Sequence, residues 1–211
     1  MRYFTPIMAG LLLLASSAWA WAGTAPQELV QQTSERMLSA LKAEQDAIKK
    51  DPARVSALVK EIVLPYFDFE RMSSWVLGKH WRGATDEQKK QFTEQFRALL
   101  IRTYATAMAE YSGQEINYLP FKGNPDAPEA TVKTEIIQAG GPPIPISYSL
   151  YQKDGEWKVY DVIIDNTSLV ANYRSSFANQ IKRDGLDALI ATLSTRSQAK
   201  LQADGASAAS E

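Results

Sequence analysis

IPISYSLYQKDGEWKVYDVII, residues 144–164, alternates apolar and polar side chains with a period of two on either side of Asp154-Gly155. Ile144, Ile146, Tyr148 and Leu150 fall on one face of an extended chain, and Ser147 and Ser149 fall on the other. Asp-Gly is a hairpin turn signal, so Ile144–Gln152 and Trp157–Ile164 read as paired antiparallel strands with one side buried. The second strand is less regular. Trp157, Val159 and Ile163 share a side with Asp161 among them, against Lys158, Tyr160, Val162 and Ile164. An acid on an apolar face either finds a partner or sits where the strand bends.

Upstream, Gly140-Gly141-Pro142-Pro143 breaks the chain, and Glu115–Leu119 and Ala130–Gln138 supply two more strands of the meander. Before Gly113 the period is helical. Thr85-Asp86-Glu87-Gln88 is a capping box that opens the longest periodic segment, with Phe92, Phe96, Leu99, Leu100, Tyr104, Ala107, Met108 and Tyr111 on its stripe. So bulky a stripe predicts a wide apolar partner rather than a closely packed helix. Ala25–Lys50 reads as one helix, and Asp51-Pro52 opens a second that runs through Leu64 to Pro65. A short helix follows from about Asp68 to Leu77, closed by Gly78, with a loop after it. Beyond the strands, Ser168 caps a helix carrying Leu169, Val170, Tyr173, Phe177 and Ile181, and Gly185 separates it from a last helix through Leu193. Helices, then a four-stranded antiparallel sheet, then helices make an α+β domain in which helices cover one face of the sheet.

The ends carry a different signal. Arg2 precedes the apolar run Ile7–Ala15, no further charge appears until Glu28, and the small-x-small sites Ala18-Trp19-Ala20 and Ala20-Trp21-Ala22 follow. This predicts a secretory signal over residues 1–22, cleaved near Ala20 or Ala22. An uncleaved anchor is the alternative, since the charge-free stretch is long enough to span a bilayer, although Pro6 and Ser16-Ser17 interrupt it. Residues 23–196 then form a single domain, and residues 197–211 are a small, polar tail that reads as disordered.

Composition narrows the function classes. With no cysteine there is no disulfide, thiolate metal site or thiol nucleophile, and a net charge of -1 leaves no basic footprint for nucleic acid. One histidine, His80, stands near Asp68, Glu70, Ser73 and Ser74. Those are the residue types of nucleophilic catalysis, but no G-x-S-x-G elbow frames them, and serines in a short capped helix are usually local hydrogen-bonders. Phosphate cradles and calcium-loop spacing are absent from the sequence, and no pair of carboxylates is marked out. The reading is therefore no enzyme, no metal and no cofactor.

Aromatics at helical spacing are usually core. Here, however, VLPYFDF at 63–69, VLGKHWRGAT at 76–85, YATAMAEYSGQ at 104–114 and WKVYDVIIDNTSLVANYRSSFANQI at 157–181 resemble the MlaC, or toluene-tolerance, family of periplasmic phospholipid-binding proteins. LKAEQDAIKKDP at 41–52 is similar too, so the resemblance covers nearly the whole chain after the signal. It implies an NTF2-like α+β fold with an apolar cavity between sheet and helices, and a periplasmic carrier whose cargo is phospholipid. It also implies an outer-membrane lipoprotein-porin complex and an inner-membrane ABC transporter complex, with its substrate-binding component, as partners in maintaining outer-membrane asymmetry. A Gly-x-Ser turn common in the family is replaced by Asn166-Thr167-Ser168, and asparagine tolerates the left-handed backbone.

On that resemblance one apolar wall comes from Phe67, Trp75, Val76 and Leu77. The other comes from Phe96, Leu100, Tyr104 and Met108 on the long helix and Ile146, Tyr148, Leu150, Val159 and Ile163 on the sheet. A lipid pocket and an ordinary core share composition, so each of these residues serves either reading. Lys79, His80 and Arg82 stand where a headgroup could touch them, or form a solvated face. Two rival functions remain open at this level: an NTF2-like small-molecule enzyme with Asp161 at its pocket floor, and an envelope chaperone or adaptor with an apolar groove.

Overall fold

The computed structural model describes residues 25–110, 113–124, 127–138 and 140–195; the expected signal and the polar tail from 197 lie outside the described residues. Pro26 starts α1, Pro26–Ala43, where its missing N–H costs no intrahelical bond. The single helix expected over Ala25–Lys50 is broken at Glu44, and α2 runs Gln45–Lys50. The Glu44 carboxylate is bound by Arg54 at 2.6 Å. The break turns Ile48 into one cluster with Met37, Leu41 and Val55.

Asp51 accepts the Ala53 N–H at 3.0 Å and opens α3, Ala53–Leu58. Its winding then changes twice, to a π turn over Val59–Val63 and a 3-10 turn over Leu64–Tyr66, where the sequence predicts plain helix. Pro65 has no N–H for the α ladder, and the Phe67 N–H closes the turn on Leu64 O at 3.1 Å. Phe67 is extended and bridges Val159 in parallel, with the Asp68 N–H donating to Val159 O at 2.9 Å. Asp68 caps α4, Phe69–Leu77, by accepting the Arg71 N–H at 2.9 Å. Gly78 ends α4 at φ +54, and the expected loop is instead a short helix α5, Lys79–Gly83.

The capping box is formed. Thr85 Oγ1 accepts the Gln88 N–H at 3.1 Å, Gln88 Oε1 accepts the Thr85 N–H at 3.0 Å, and α6 runs Asp86–Ala109. The N-terminal half of its bulky stripe meets helices, contrary to the sequence expectation, while Tyr104 farther along reaches the sheet cluster. Phe92 and Phe96 are fully buried and make edge contacts of 5.9 and 6.3 Å with Phe177 of α7, Leu169–Asp184. Phe92 and Phe96 also stack on each other at 5.7 Å.

The sheet is an antiparallel meander with five strands in sequence order, one more than expected: β1 Glu115–Tyr118, β2 Glu129–Ile137, β3 Ile144–Lys153, β4 Glu156–Ile164 and the two-residue β5 Thr167–Ser168. Asp154 and Gly155 at the β3–β4 turn both have positive φ, as do Asp165 and Asn166 before β5. Asn166, at φ 63, holds a left-handed backbone, which asparagine tolerates better than most residues.

Register corrects the reading of β4. Ser149 pairs with Asp161 but Leu150 pairs with Val159, so Tyr160 is an extra, bulged residue. The bulge switches parity: Trp157 and Val159 before it share the inner face with Val162 and Ile164 after it, whereas Ile163 is displaced to the outer face with Asp161. Asp161 is spent on structure. One carboxylate oxygen accepts the N–H groups of Val162 at 2.9 Å and Val170 at 3.1 Å, and the other accepts the Ser168 hydroxyl at 2.6 Å.

Among the described residues, three apolar clusters result. One packs α4, the N-terminal half of α6, α7 and a final helix α8, residues 186–195; a second packs α1 to α3 against Ile101 and Ala105; a third joins Val30 and Leu169 to the inner face of the sheet. Phe67 and Tyr104 pack against both the first and the third.

Asp161→Ala removes the acceptor of one N–H in β4, one N–H at the start of α7 and the Ser168 hydroxyl. It is expected to lower the unfolding free energy by about 2 kcal/mol, read as a lower urea midpoint at unchanged slope.

Candidate functional site

Pairing across β1 to β4 sets the inner face in rows. Ile116, Ile136 and Ile144 form one row, and Tyr118, Thr134, Ile146 and Ile164 form the next. Val132, Tyr148 and Val162 follow, then Ala130, Leu150 and Val159. No charged side chain occupies any of these positions. Exposure changes along them: Leu150, Val159 and Val132 are buried, Tyr148, Ile146 and Ile164 are half-buried, and the whole Ile116-Ile136-Ile144 row is half-buried. Exposure thus rises from the Leu150 row to the Ile144 row, although Thr134 and Val162 between them are buried. Tyr104 and Phe67, both half-buried, face this surface from the helical side.

Its polar groups are neutral. Burial raises the Tyr148 phenol above its ordinary range, and neighbouring Tyr118 raises it further. Burial likewise raises Tyr118, with Glu35 adding to it, and raises Tyr104, with Tyr173 adding to it. All three phenols remain uncharged at neutral pH.

Of the residues singled out from sequence, Phe67, Tyr104, Ile146, Tyr148, Leu150 and Val159 converge here. Val76, Leu77, Phe96 and Leu100 belong to the helical cluster with Phe177, where helix packing takes up their side chains. Met108 packs against the α1–α3 cluster. Trp75 is not a wall residue; it is 46% exposed, because α4 turns it toward Tyr160 on the opposite side of β4 from Val159. Ile163 is outward for the reason of the bulge. The rows from β1 and β2 escape a reading centred on β3, although Ala130, Val132, Thr134 and Ile136 alternate just as cleanly.

The catalytic candidates are scattered. His80 lines a shallow cleft of about 410 Å³ with Lys79, Gln88 and Ile181. Ser73 is fully buried, and Ser74 donates its hydroxyl to Arg71 O at 2.8 Å. Asp68 borders a separate cleft of about 300 Å³ and is fully engaged there: Lys153 donates at 2.8 Å, the Tyr151 hydroxyl donates to the same oxygen, and the Arg71 N–H holds the other. Among the described residues no group of three histidines, cysteines or carboxylates is placed to hold a metal, and no helix is long and apolar enough to cross a membrane.

The chain matches the family model described as MlaC protein over residues 31–195. It is 31% identical over 192 residues to the intermembrane phospholipid transport system binding protein MlaC of Haemophilus influenzae, covering 90% of each chain. It is 32% identical over 178 residues to the toluene tolerance protein ttg2D of Pseudomonas putida, covering 84% of this chain and 82% of that one. A solved phospholipid-binding protein from Ralstonia solanacearum, in complex with a phospholipid, superposes with a TM-score of 0.76 at 31% identity, over 84% of this chain and 98% of that one.

Burial works to raise the Asp68 carboxyl, but the Arg71 N–H, Lys153 and the Tyr151 hydroxyl outweigh it and hold the group below its ordinary value. A depressed carboxyl stabilises the fold above the unfolded-state value of about pH 4, and that contribution is lost as pH falls through the folded-state value below it. Asp68→Asn is therefore expected to reduce the acid dependence of the urea midpoint between about pH 5 and about pH 2, relative to the wild type.

Proposed function

The chain belongs to the MlaC family, and from that premise we propose that it is a phospholipid carrier whose acyl tails lie along the uncharged inner face of the sheet, under Phe67 and Tyr104. The observation that carries this reading is the graded exposure of the uncharged rows, buried at the Leu150 end and half-buried at the Ile144 end, where a fully packed core would bury them. Residues 23–196 act as one lipid-binding domain in the periplasm. There the carrier shuttles lipid between an outer-membrane lipoprotein-porin complex and the substrate-binding component of an inner-membrane ABC transporter. The headgroup stays at the open Ile144 end, since the rows offer hydroxyls and no cation to grip a phosphate.

A carrier is favoured over an NTF2-like enzyme because Asp161, the acid best suited to a pocket floor, is outward and already accepts three hydrogen bonds. An apolar trough with neutral hydroxyls sequesters hydrocarbon; it has no nucleophile and base in register.

Organic extraction of the purified protein followed by mass spectrometry is expected to release phospholipid in stoichiometric yield; a folded sample that releases none, or releases peptide, overturns the proposal. Tyr104→Asp and Ile146→Asp place a carboxylate against the tails at half-buried positions. Desolvating it there costs several kcal/mol, so the extractable lipid is expected to fall about tenfold or more while far-ultraviolet dichroism holds. Unchanged loading in either variant removes that residue from the lining.

A further inference from the structure

A buried hydroxyl without a hydrogen-bond partner has lost its water and gained nothing in return, so such groups are rare in folded proteins. Among the described residues, the hydroxyls of Ser73, Tyr118 and Thr134 are in that state. Ser73 lies within α4, where helix carbonyls are a turn away. Tyr118 and Thr134 have no such neighbour. They are paired across β1 and β2 on the inner face of the sheet, in the row completed by Ile146 and Ile164. Thr134 is 1% exposed, and the Tyr118 hydroxyl is sealed from water although the residue as a whole is half-buried.

Two more hydroxyls stand beside them. Ser34 of α1 neighbours Tyr118 from the helical layer, and Tyr148 of β3 neighbours Thr134, yet neither approach satisfies the Tyr118 or Thr134 hydroxyl. Hydroxyls from both layers thus gather in a surface that is otherwise apolar. An uncharged set of donors suits a neutral acceptor. The charged group that acts on Tyr118 is the Glu35 carboxylate, which disfavours an anion such as a phosphate or a fatty carboxylate there. Depth points the same way. The row lies two residues inward of the Ile116-Ile136-Ile144 row, about 7 Å along the strands. With a headgroup at the Ile144 end, that is one glycerol unit below the phosphate, where a diacyl lipid carries its ester carbonyls.

We propose that Tyr118 and Thr134 determine specificity: their hydroxyls donate to the ester carbonyls of a diacyl glycerophospholipid, which selects ester-linked over ether-linked tails and sets how deep the tails enter. This rests on the carrier reading. An ester carbonyl supplies the acceptor that the fold withholds from both hydroxyls, whereas an ether oxygen lacks the carbonyl dipole and accepts more weakly.

The test incubates the lipid-loaded full chain with vesicles holding equal amounts of dioleoyl phosphatidylcholine and its dioleyl diether analogue. The protein is then re-isolated and extracted, and the two lipids are quantified by mass spectrometry. The wild type is expected to take up the diester about fivefold over the diether. Thr134→Val, which keeps the shape and removes the hydroxyl, and Tyr118→Phe should each lower that ratio about twofold or more. Thr131→Val, on the exposed outer face of β2, is the control and should keep the wild-type ratio. Should one variant take up neither lipid, the ratio in the other decides. A wild-type ratio of one, a ratio that Thr134→Val and Tyr118→Phe leave unchanged, or an equal fall in the control overturns the proposal. Displacement of bound diester by sodium oleate in the wild type but not in the two variants assigns the hydroxyls to a free fatty carboxylate and overturns the ester assignment. A wild type that takes up neither lipid overturns the carrier reading and this proposal with it; equal uptake of both leaves the carrier reading standing and overturns the ester assignment alone.

Discussion

One extra residue in β4 organises the molecule. Had Tyr160 paired in step, Val162 and Ile164 would have turned outward and Asp161 would have been driven into the apolar face. The bulge instead keeps the inner face apolar along its length and sends Asp161 out to the start of α7, where it meets Val170 and Ser168. The same displacement presents Tyr160 to Arg71 and Trp75. A single register shift thus sets the lining of the trough, the anchor of a helix and an aromatic cluster on the opposite side.

The edge of β4 then couples sheet to helices. Its first half is met by the extended Phe67-Asp68 segment and its second half by β5, so the strand is flanked by the chain leading into α4 and the chain leading into α7. Asp68 reinforces the first junction by binding Tyr151 and Lys153 on β3 while capping α4. Phe67, one residue earlier, packs on the inner-face cluster and the helical cluster together. Polar bonds fix the position of α4, so the junction does not depend on the apolar face beside it alone.

Legibility in the sequence followed how local each determinant is. The capping box of α6, the alternation of β3 and the Asp154-Gly155 turn are written in neighbouring residues, and all three formed. The β4 bulge has no glycine or proline to mark it, and the break at Glu44 depends on an arginine ten residues away. The π and 3-10 winding before Phe67 answers to the bridge with Val159, far along the chain. Candidate lining residues were harder still. Phe96 and Tyr104 lie on the same helix stripe, yet one is sealed among Phe92, Phe177 and Tyr173 while the other stands at the seam, a distinction made by tertiary packing alone.

On the carrier reading, the trough and the cargo are two halves of one core. Two acyl chains expose about 30 methylenes, and at about 0.8 kcal/mol each their exposure to water costs roughly 25 kcal/mol, so they cross an aqueous space only when covered. Exchange between a bilayer and apolar rows is nearly neutral in free energy, which makes loading reversible but gives it no direction; direction has to come from the assemblies the carrier meets. An emptied trough held open is not an alternative resting state. At about 24 cal/mol per Å³, a void of about 800 Å³ would cost about 19 kcal/mol, more than the stability of a typical domain. Without lipid the layers must close over the half-buried Ile116-Ile136-Ile144 row, with Phe67 and Tyr104 at the seam as the side chains that change partners.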